Sequence, residues 1–242
     1  MDTPSGPECP GCEGVDNEKI RRINVRLKSL PFTVLLLLSL LLAACSPESA
    51  EIEIFISELL EAQKGELVLI PVRMTFSVGE DDQEDLEEAL AKASEYIEDL
   101  AWEKVKGEYD TKLQGEFSIP LGSKEVVEKY LGTNQSPLAF TMSETLVVLQ
   151  ETPMLDALNK ELSEINYMMS FDLPADETTI KIIGDSTKPV TVGAVAVFAD
   201  GKPSLNFQQK IEKRKSVTLT FYGGETSVYS GVPIQFSIGS AQ

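Results

Sequence analysis

Alternation of apolar and polar residues predicts that the chain opens with two β-strands. Residues 51–56 alternate acidic and apolar side chains, and residues 66–78 resume a strand pattern after a turn at Lys64-Gly65. Pro71 in the second strand indicates a bulge or a sheet edge. Between the strands, residues 57–61 fit either a turn of helix or a bulged continuation. The unit therefore reads as an opening β-hairpin.

A spacing of three to four residues between apolar positions predicts helices further along the chain. The longest covers residues 81–106, from an acidic start to Lys104 and Lys106 at its end. Trp102 lies at the margin of its apolar stripe. Packing is the expected role of this side chain, with sugar stacking or a partner contact as the alternative. Two shorter helices are predicted at residues 123–131, capped by Ser123 and ended by Gly132, and from Pro153 to about Ile165.

Strand patterns account for most of the remainder, separated by turn signals such as Asp200-Gly201. They cover residues 113–121, 138–150, 167–173, 178–183, 190–198, 217–222 and 232–238. The expected fold is α+β, a mostly antiparallel sheet or sandwich of about eight strands with two or three packed helices. A separate β-sandwich subdomain at residues 166–242 stays open, because the strand spacing suits such a fold.

The N-terminal region has the pattern of an export signal. Residues 19–28 carry five basic side chains and no acidic one, and residues 34–42 form an apolar run. This run is shorter than the roughly 20 residues that span a bilayer, but it suits the ~7–15-residue core of a signal peptide. The preceding positive charge favours the cytoplasmic side.

Leu42-Ala43-Ala44-Cys45 resembles the lipobox of bacterial lipoproteins. The resemblance implies cleavage after Ala44, a diacylglycerol on the Cys45 thiol and further acylation such as palmitate. It divides the chain into a signal peptide with an N-terminal extension (1–44), a tether (45–50) and a globular region (51–242). The serine at position 46 implies the outer membrane if the host is Gram-negative. A plain secretory signal with an incidental Cys45 is the alternative.

Residues 45–78 carry a second resemblance. A strand, Ser-Glu-Leu-Leu, a Lys-Gly turn and another strand follow the cysteine, as in phage- and prophage-encoded lipoproteins of unknown function. It implies a surface lipoprotein, encoded by a mobile element, without an assigned activity.

Charge restricts the partners. The chain has a net charge of −18, and residues 45–242 keep all of it, with 16 basic and 34 acidic side chains. Such a surface is unsuited to nucleic acid and to anionic lipid head groups. The membrane contact is therefore expected to be the lipid anchor alone.

Several classes of chemistry lack the residues they need. The chain has no histidine, no cysteine after Cys45 and no phosphate-binding glycine motif, and the Cys9/Cys12 pair precedes the expected cut. Residues 81–85 contain the acids Asp81, Asp82, Glu84 and Asp85, which fit a solvated helix start better than a calcium site. The basic run at 210–215 fits a solvated hairpin turn, with a docking patch as the alternative.

These observations favour a non-enzymatic, lipid-anchored cell-envelope protein that binds a protein partner or contributes to envelope structure, without a cofactor or metal. A carrier lipoprotein for a lipid or sugar is the alternative, and it requires a deep apolar or aromatic-lined cavity. A carboxylate-dependent envelope hydrolase is third, and it requires two convergent acids in a cleft.

Overall fold

The computed structural model describes residues 47–78, 83–106, 111–166, 170–171, 177–222 and 234–240, all within a unit running from Ala43 to Gln242. The helices in these ranges are α1 (Ile56–Gln63), α2 (Gln83–Tyr96), α3 (Lys124–Leu131) and α4 (Pro153–Ile165). The strands are β1 (Pro47–Phe55), β2 (Val68–Val78), β3 (Ala101–Lys106), β4 (Thr111–Ser123), β5 (Leu138–Ser143), β6 (Leu146–Glu151), β7 (Glu177–Ile183), β8 (Val190–Ala199), β9 (Lys202–Ile211), β10 (Ser216–Tyr222) and β11 (Gln235–Ser240).

Nine of these strands close into a barrel. Their order is β10-β7-β1-β2-β4-β5-β6-β11-β8, and β8 pairs back onto β10. The remaining two lie outside the ring, with β3 paired to β4 and β9 paired to β8. The expected α+β fold, a mostly antiparallel sheet or sandwich with two or three packed helices, is therefore wrong, because the strands form a closed barrel. Alternation predicts a strand and its buried face, but closure depends on a contact between two particular strands that no local pattern specifies.

One strand of the ring must change direction. The β1–β7 and β4–β5 contacts are parallel and the other seven are antiparallel. Each antiparallel contact reverses the strand direction, so a closed ring of straight strands needs an even number of antiparallel contacts. The strand that turns is β8, because its residues 190–193 pair with β11 whereas residues 198–199 pair with β10.

Ala196 marks the turn within β8. Its φ of 50° lies in the left-handed region, which costs a residue with a side chain about 1–2 kcal/mol. The buried face also changes there, from even-numbered to odd-numbered positions. The buried residues before it include Val192 and Ala194, and those after it are Val197 and Ala199.

The seam that closes the barrel is narrow. Only two residue pairs join β8 to β10, Ala199 with Leu219 and Phe198 with Thr220. Asp200 extends the seam by one step: its backbone N–H donates to the Thr218 carbonyl at 2.8 Å, and its Oδ1 accepts from the Thr218 N–H at 2.9 Å. The turn residue Asp200 is thus part of the closure.

Side chains fill the barrel interior. Alternate residues of the ring strands are buried and belong to one continuous hydrophobic cluster. The largest fully buried members from the strands are Phe140, Phe236, Ile52, Ile54, Ile70, Met74, Ile119, Leu121 and Leu138. A ring of about this size is just wide enough for side chains to occupy its interior.

The helices pack onto the same core. Ile56, Leu59 and Ala62 of α1 are buried, and α1 contacts β1, β2, β4 and β5. The predicted caps of α3 are confirmed, because the Ser123 hydroxyl accepts from the Val126 N–H. Helices α2 and α4 pack against each other, and the Tyr96 hydroxyl donates to Glu161 at 2.6 Å.

Two predicted elements extended too far. The helix expected over 81–106 ends at Tyr96, and residues 101–106 form β3. Residues 101–106 form a strand and not a helix because they pair with β4, where Gly115 lies opposite Trp102 and leaves room for the indole ring. The strand expected over 138–150 is two strands, β5 and β6, joined at Glu144, whose φ is 40°.

The predicted opening unit is not a simple β-hairpin. Residues 57–61 belong to α1, so β1 and β2 pair antiparallel but are not joined by a tight turn. The strand β9 was missed, because it has little burial and hence a mostly polar pattern. The strand expected over 167–173 falls largely outside the described residues. Apart from β9, the described strands after residue 166 take part in the same ring as those before it.

The seam yields a stability prediction. Asp200→Ala removes the side-chain oxygen that accepts from the Thr218 N–H. Because Asp200 has a φ of 47°, the substitution also places alanine, whose side chain cannot form a local hydrogen bond, in the left-handed region. We expect it to lower the free energy of unfolding by about 1–2 kcal/mol. Asp200→Asn retains both features and should cost a few tenths at most. Urea titration of both variants measures the difference, and equal stabilities would contradict the role of Asp200 in closure.

Candidate functional site

The residues expected to carry the anchor, Ala44 and Cys45, lie outside the described residues, as do Asp81 and Asp82. Of the acidic cluster, Asp85 is described, and its carboxylate accepts from the Asn166 amide at 3.1 Å. Within the described ranges, no group of three or more acidic side chains is arranged to hold a metal ion. No helix in those ranges has the length and apolar character needed to cross a membrane.

Trp102 packs between neighbouring side chains. Its ring lies 5.7 Å from that of Phe76, and a β-carbon on Gly115 would approach it to 2.3 Å. The indole therefore occupies the space that the glycine leaves free on β4. This contact accounts for the residue as packing, although it lies on β3 and not on the predicted helix.

A serine and an aspartate meet at the start of α1. The Ser57 N–H and hydroxyl both donate to the Asp185 carboxylate, the former at 2.9 Å. Burial acts to raise the pKa of Asp185, but these hydrogen bonds and others from nearby backbone N–H groups outweigh it and lower that pKa. Burial raises the pKa of the neighbouring Glu58. The pair caps a helix, and the lowered pKa makes the Asp185 carboxylate a weak base towards the Ser57 hydroxyl.

A depression on the outer barrel surface has a different character. Leu146, Ser237, Gly193 and Gln208 lie opposite one another in register, forming one row across β6, β11, β8 and β9. We call the space above this row the Gly193 depression; its volume is about 150 Å³. It is lined by Leu146, Gly193, Ala194, Val195, Asn206, Phe207, Gln208, Gln235, Phe236 and Ser237.

The depression exists because Gly193 has no side chain. A β-carbon there would lie 2.7 Å from the Ser237 hydroxyl oxygen and 3.5 Å from Gln208. The same hydroxyl donates to the Gly193 carbonyl at 3.3 Å. The sequence analysis missed Gly193, although an isolated glycine within a strand pattern is a signal of such a close approach.

The lining is uncharged in a chain in which 25% of residues are charged. Leu146 and Val195 are 38% and 46% exposed and provide apolar walls. Amide side chains of Asn206, Gln208 and Gln235 surround them. This combination of exposed apolar walls and uncharged donors and acceptors suits contact with a protein surface.

A second pocket, of about 250 Å³, lies over β1, β2 and β4. Its charged groups are already engaged in ion pairs. Arg73 pairs with Glu116 and, at 4.0 Å, with Glu51, whereas Glu53 pairs with Lys181 at 2.6 Å. These ion pairs leave little reason to assign a ligand to this pocket.

The basic run at 210–215 joins β9 to β10, which are not neighbours in the sheet, so the expected hairpin turn is wrong. The connection is held by Gly184, whose N–H donates to the Lys215 carbonyl at 2.7 Å. The Arg214 N–H donates back to the Gly184 carbonyl at 2.6 Å. Lys210, Lys213, Arg214 and Lys215 have exposed side chains.

Comparison with known proteins adds no assignment. No family model matches the sequence, and no curated protein or solved structure is significantly similar to it.

The Ser57–Asp185 cap predicts a pH-dependent stability. A lowered pKa in the folded state means that the contribution of Asp185 is present above the ordinary aspartate pKa of about 3.9 and is lost as the pH falls through the lowered value. We expect Asp185→Ala to cost about 1 kcal/mol of unfolding free energy at pH 7. That difference should shrink below pH 4. Denaturant titrations at pH 7 and pH 3 measure it, and a constant difference would contradict the assignment.

Proposed function

We propose that this chain is a lipid-anchored, non-enzymatic protein of the cell envelope that binds a protein partner through the face around the Gly193 depression. The basic and apolar pattern before Cys45 supports the anchor, because a diacylated cysteine holds a protein stably at a membrane. The outer membrane is the expected site if the host has one.

The observation that supports binding of a protein partner is the uncharged character of the depression. Two of the large apolar side chains that stay exposed on this strongly acidic protein, Leu146 and Val195, line the depression and are 38% and 46% exposed. Protein interfaces are depleted of charge at their centres and surrounded by a polar rim. The depression and its amide rim have this arrangement.

The carrier alternative finds less support. A lipid or sugar carrier needs a deep cavity, and a barrel interior would be the natural place for one. Phe140, Phe236, Met74 and other buried side chains already occupy that interior. The two described pockets are shallow spaces on the outer surface, so binding of a protein surface is the better account.

The anchor is tested with Cys45→Ser. We expect the native chain isolated from cells to begin at Cys45, to carry the mass of acyl chains and to partition into a detergent phase. Cys45→Ser should abolish lipidation and detergent partitioning. Cys12→Ser is the matched control, since it lies before the expected cut and should change nothing. A native chain that retains Met1 and an unmodified thiol would contradict the anchor.

Partner binding is tested by site-specific cross-linking in cells. A photoreactive residue at Asn206, on the rim of the depression, should give one discrete cross-linked protein. The same residue at Lys124 on α3 should not. Val195→Glu should remove the product, because it introduces a buried charge at the contact. A product that forms equally from both positions, or that survives Val195→Glu, would contradict the assigned face.

A further inference from the structure

We propose that the outer edge of β9 binds an extended, carboxylate-bearing segment of a partner protein as an additional strand. This inference rests on the proposed function and specifies the chemistry of the partner. Three features support it: a sheet edge that no other described strand covers, an uncharged central segment, and basic residues on either side of that segment that form no ion pair with any described residue.

The first feature follows from the position of β9. Within the described residues it pairs with β8 alone, since the ring closes through β8 and β10. Ala199 pairs with Lys202 across a two-residue turn, Asp200-Gly201, in which both φ angles are positive. Residues flanking such a turn exchange hydrogen bonds, and the direction then alternates along the strand. The N–H groups of Leu205, Phe207 and Gln209 therefore point away from β8.

The centre of this edge is suited to pairing. Proteins commonly protect an edge strand with proline or charged residues. Pro203 and Lys202 lie at the turn end of β9 and Lys210 near the other end, but residues 204–209 contain neither proline nor charge. Leu205, the most exposed of the large apolar side chains described, lies in this segment at 76% exposure. The open centre has the length of an ordinary strand.

The basic residues around β9 favour an acidic partner segment. Residues 186–222 contain six basic and two acidic residues, in a chain with a net charge of −18. Arg73, Lys92, Lys112 and Lys181 form ion pairs elsewhere. No such pair involves Lys202, Lys210, Lys213, Arg214 or Lys215 among the described residues. Complementary charge across an interface favours the correct partner and disfavours the wrong one.

The spacing of the lysines defines the segment further. Lys202 and Lys210 occupy even positions of β9 on either side of Asn206 and Gln208, which line the Gly193 depression. They lie eight positions apart, or about 26 Å along a strand. A matching segment carries two acidic residues eight positions apart, with uncharged β-forming residues between them. Pairing of two β9 strands would instead bring basic residues together, which disfavours a second copy of this chain.

The test uses the full-length chain in non-ionic detergent micelles and a nine-residue peptide with blocked ends. The peptide has glutamate at both end positions, with threonine and valine alternating between them. We expect the backbone amide signals of Leu205, Phe207 and Gln209 to shift on titration. A matched peptide with lysine in place of glutamate should bind at least about tenfold more weakly, and added salt should weaken the acidic peptide.

Two variants separate strand pairing from simple charge attraction. Gln209→Pro removes one outward N–H without removing a hydrogen bond to β8, so it should abolish binding, whereas Gln209→Thr should retain it. Lys202→Glu combined with Lys210→Glu should reverse the preference towards the lysine peptide. Preserved amide spectra elsewhere show that each variant is folded.

Several results would overturn the inference. They are the absence of peptide binding, equal binding of both peptides, unchanged binding by Gln209→Pro, and shifts at the β9 amides on changing protein concentration without peptide, which would indicate self-association. If the cross-link from Asn206 persists in Gln209→Pro, the partner-binding face stands although strand addition fails. If peptide binding is intact but that cross-link never forms, the proposed function fails on its own.

Discussion

The pairing of the last two residues of β8 with β10 is the contact on which the arrangement of the other strands depends. It joins a ring that would otherwise remain an open sheet, and it does so through two residue pairs and the hydrogen bonds of Asp200. Because the ring contains seven antiparallel contacts, this pairing is possible only if β8 changes direction. The left-handed conformation of Ala196 is where that change occurs, and the strain is offset by burial of Val197 and Ala199 on the far side.

The turn in β8 has a consequence for the surface. While β8 uses one edge for β11 and β10 in succession, its other edge carries β9, which has no place in the ring. The same geometry brings Gly193 opposite Ser237 and leaves a depression where a side chain would otherwise lie. Closure of the barrel, the open strand edge and the uncharged depression therefore have one structural origin.

Sequence patterns predicted local structure well where a residue acts on its own neighbours. Ser123 and Gly132 bound α3, and Pro153 begins α4, because caps and the first helical turn are local interactions. Sequence patterns did not predict local structure where it depends on a contact with residues far away in the sequence. Residues 101–106 form a strand because β4 offers Gly115 to Trp102, and β9 was overlooked because an edge strand buries little. The candidate site was missed for the same reason, since Gly193 gains its meaning only from Ser237 across the sheet.

Hydrogen exchange along β9 tests the central claim most directly, because it reports whether this strand has one neighbour or two. If β9 lies outside the ring, the amides of Ser204, Asn206 and Gln208 are protected by β8, whereas those of Leu205, Phe207 and Gln209 exchange rapidly. The account predicts this alternation in the free protein, measured residue by residue by nuclear magnetic resonance. Uniform protection along residues 204–209 would contradict it, since a second strand would then cover the edge.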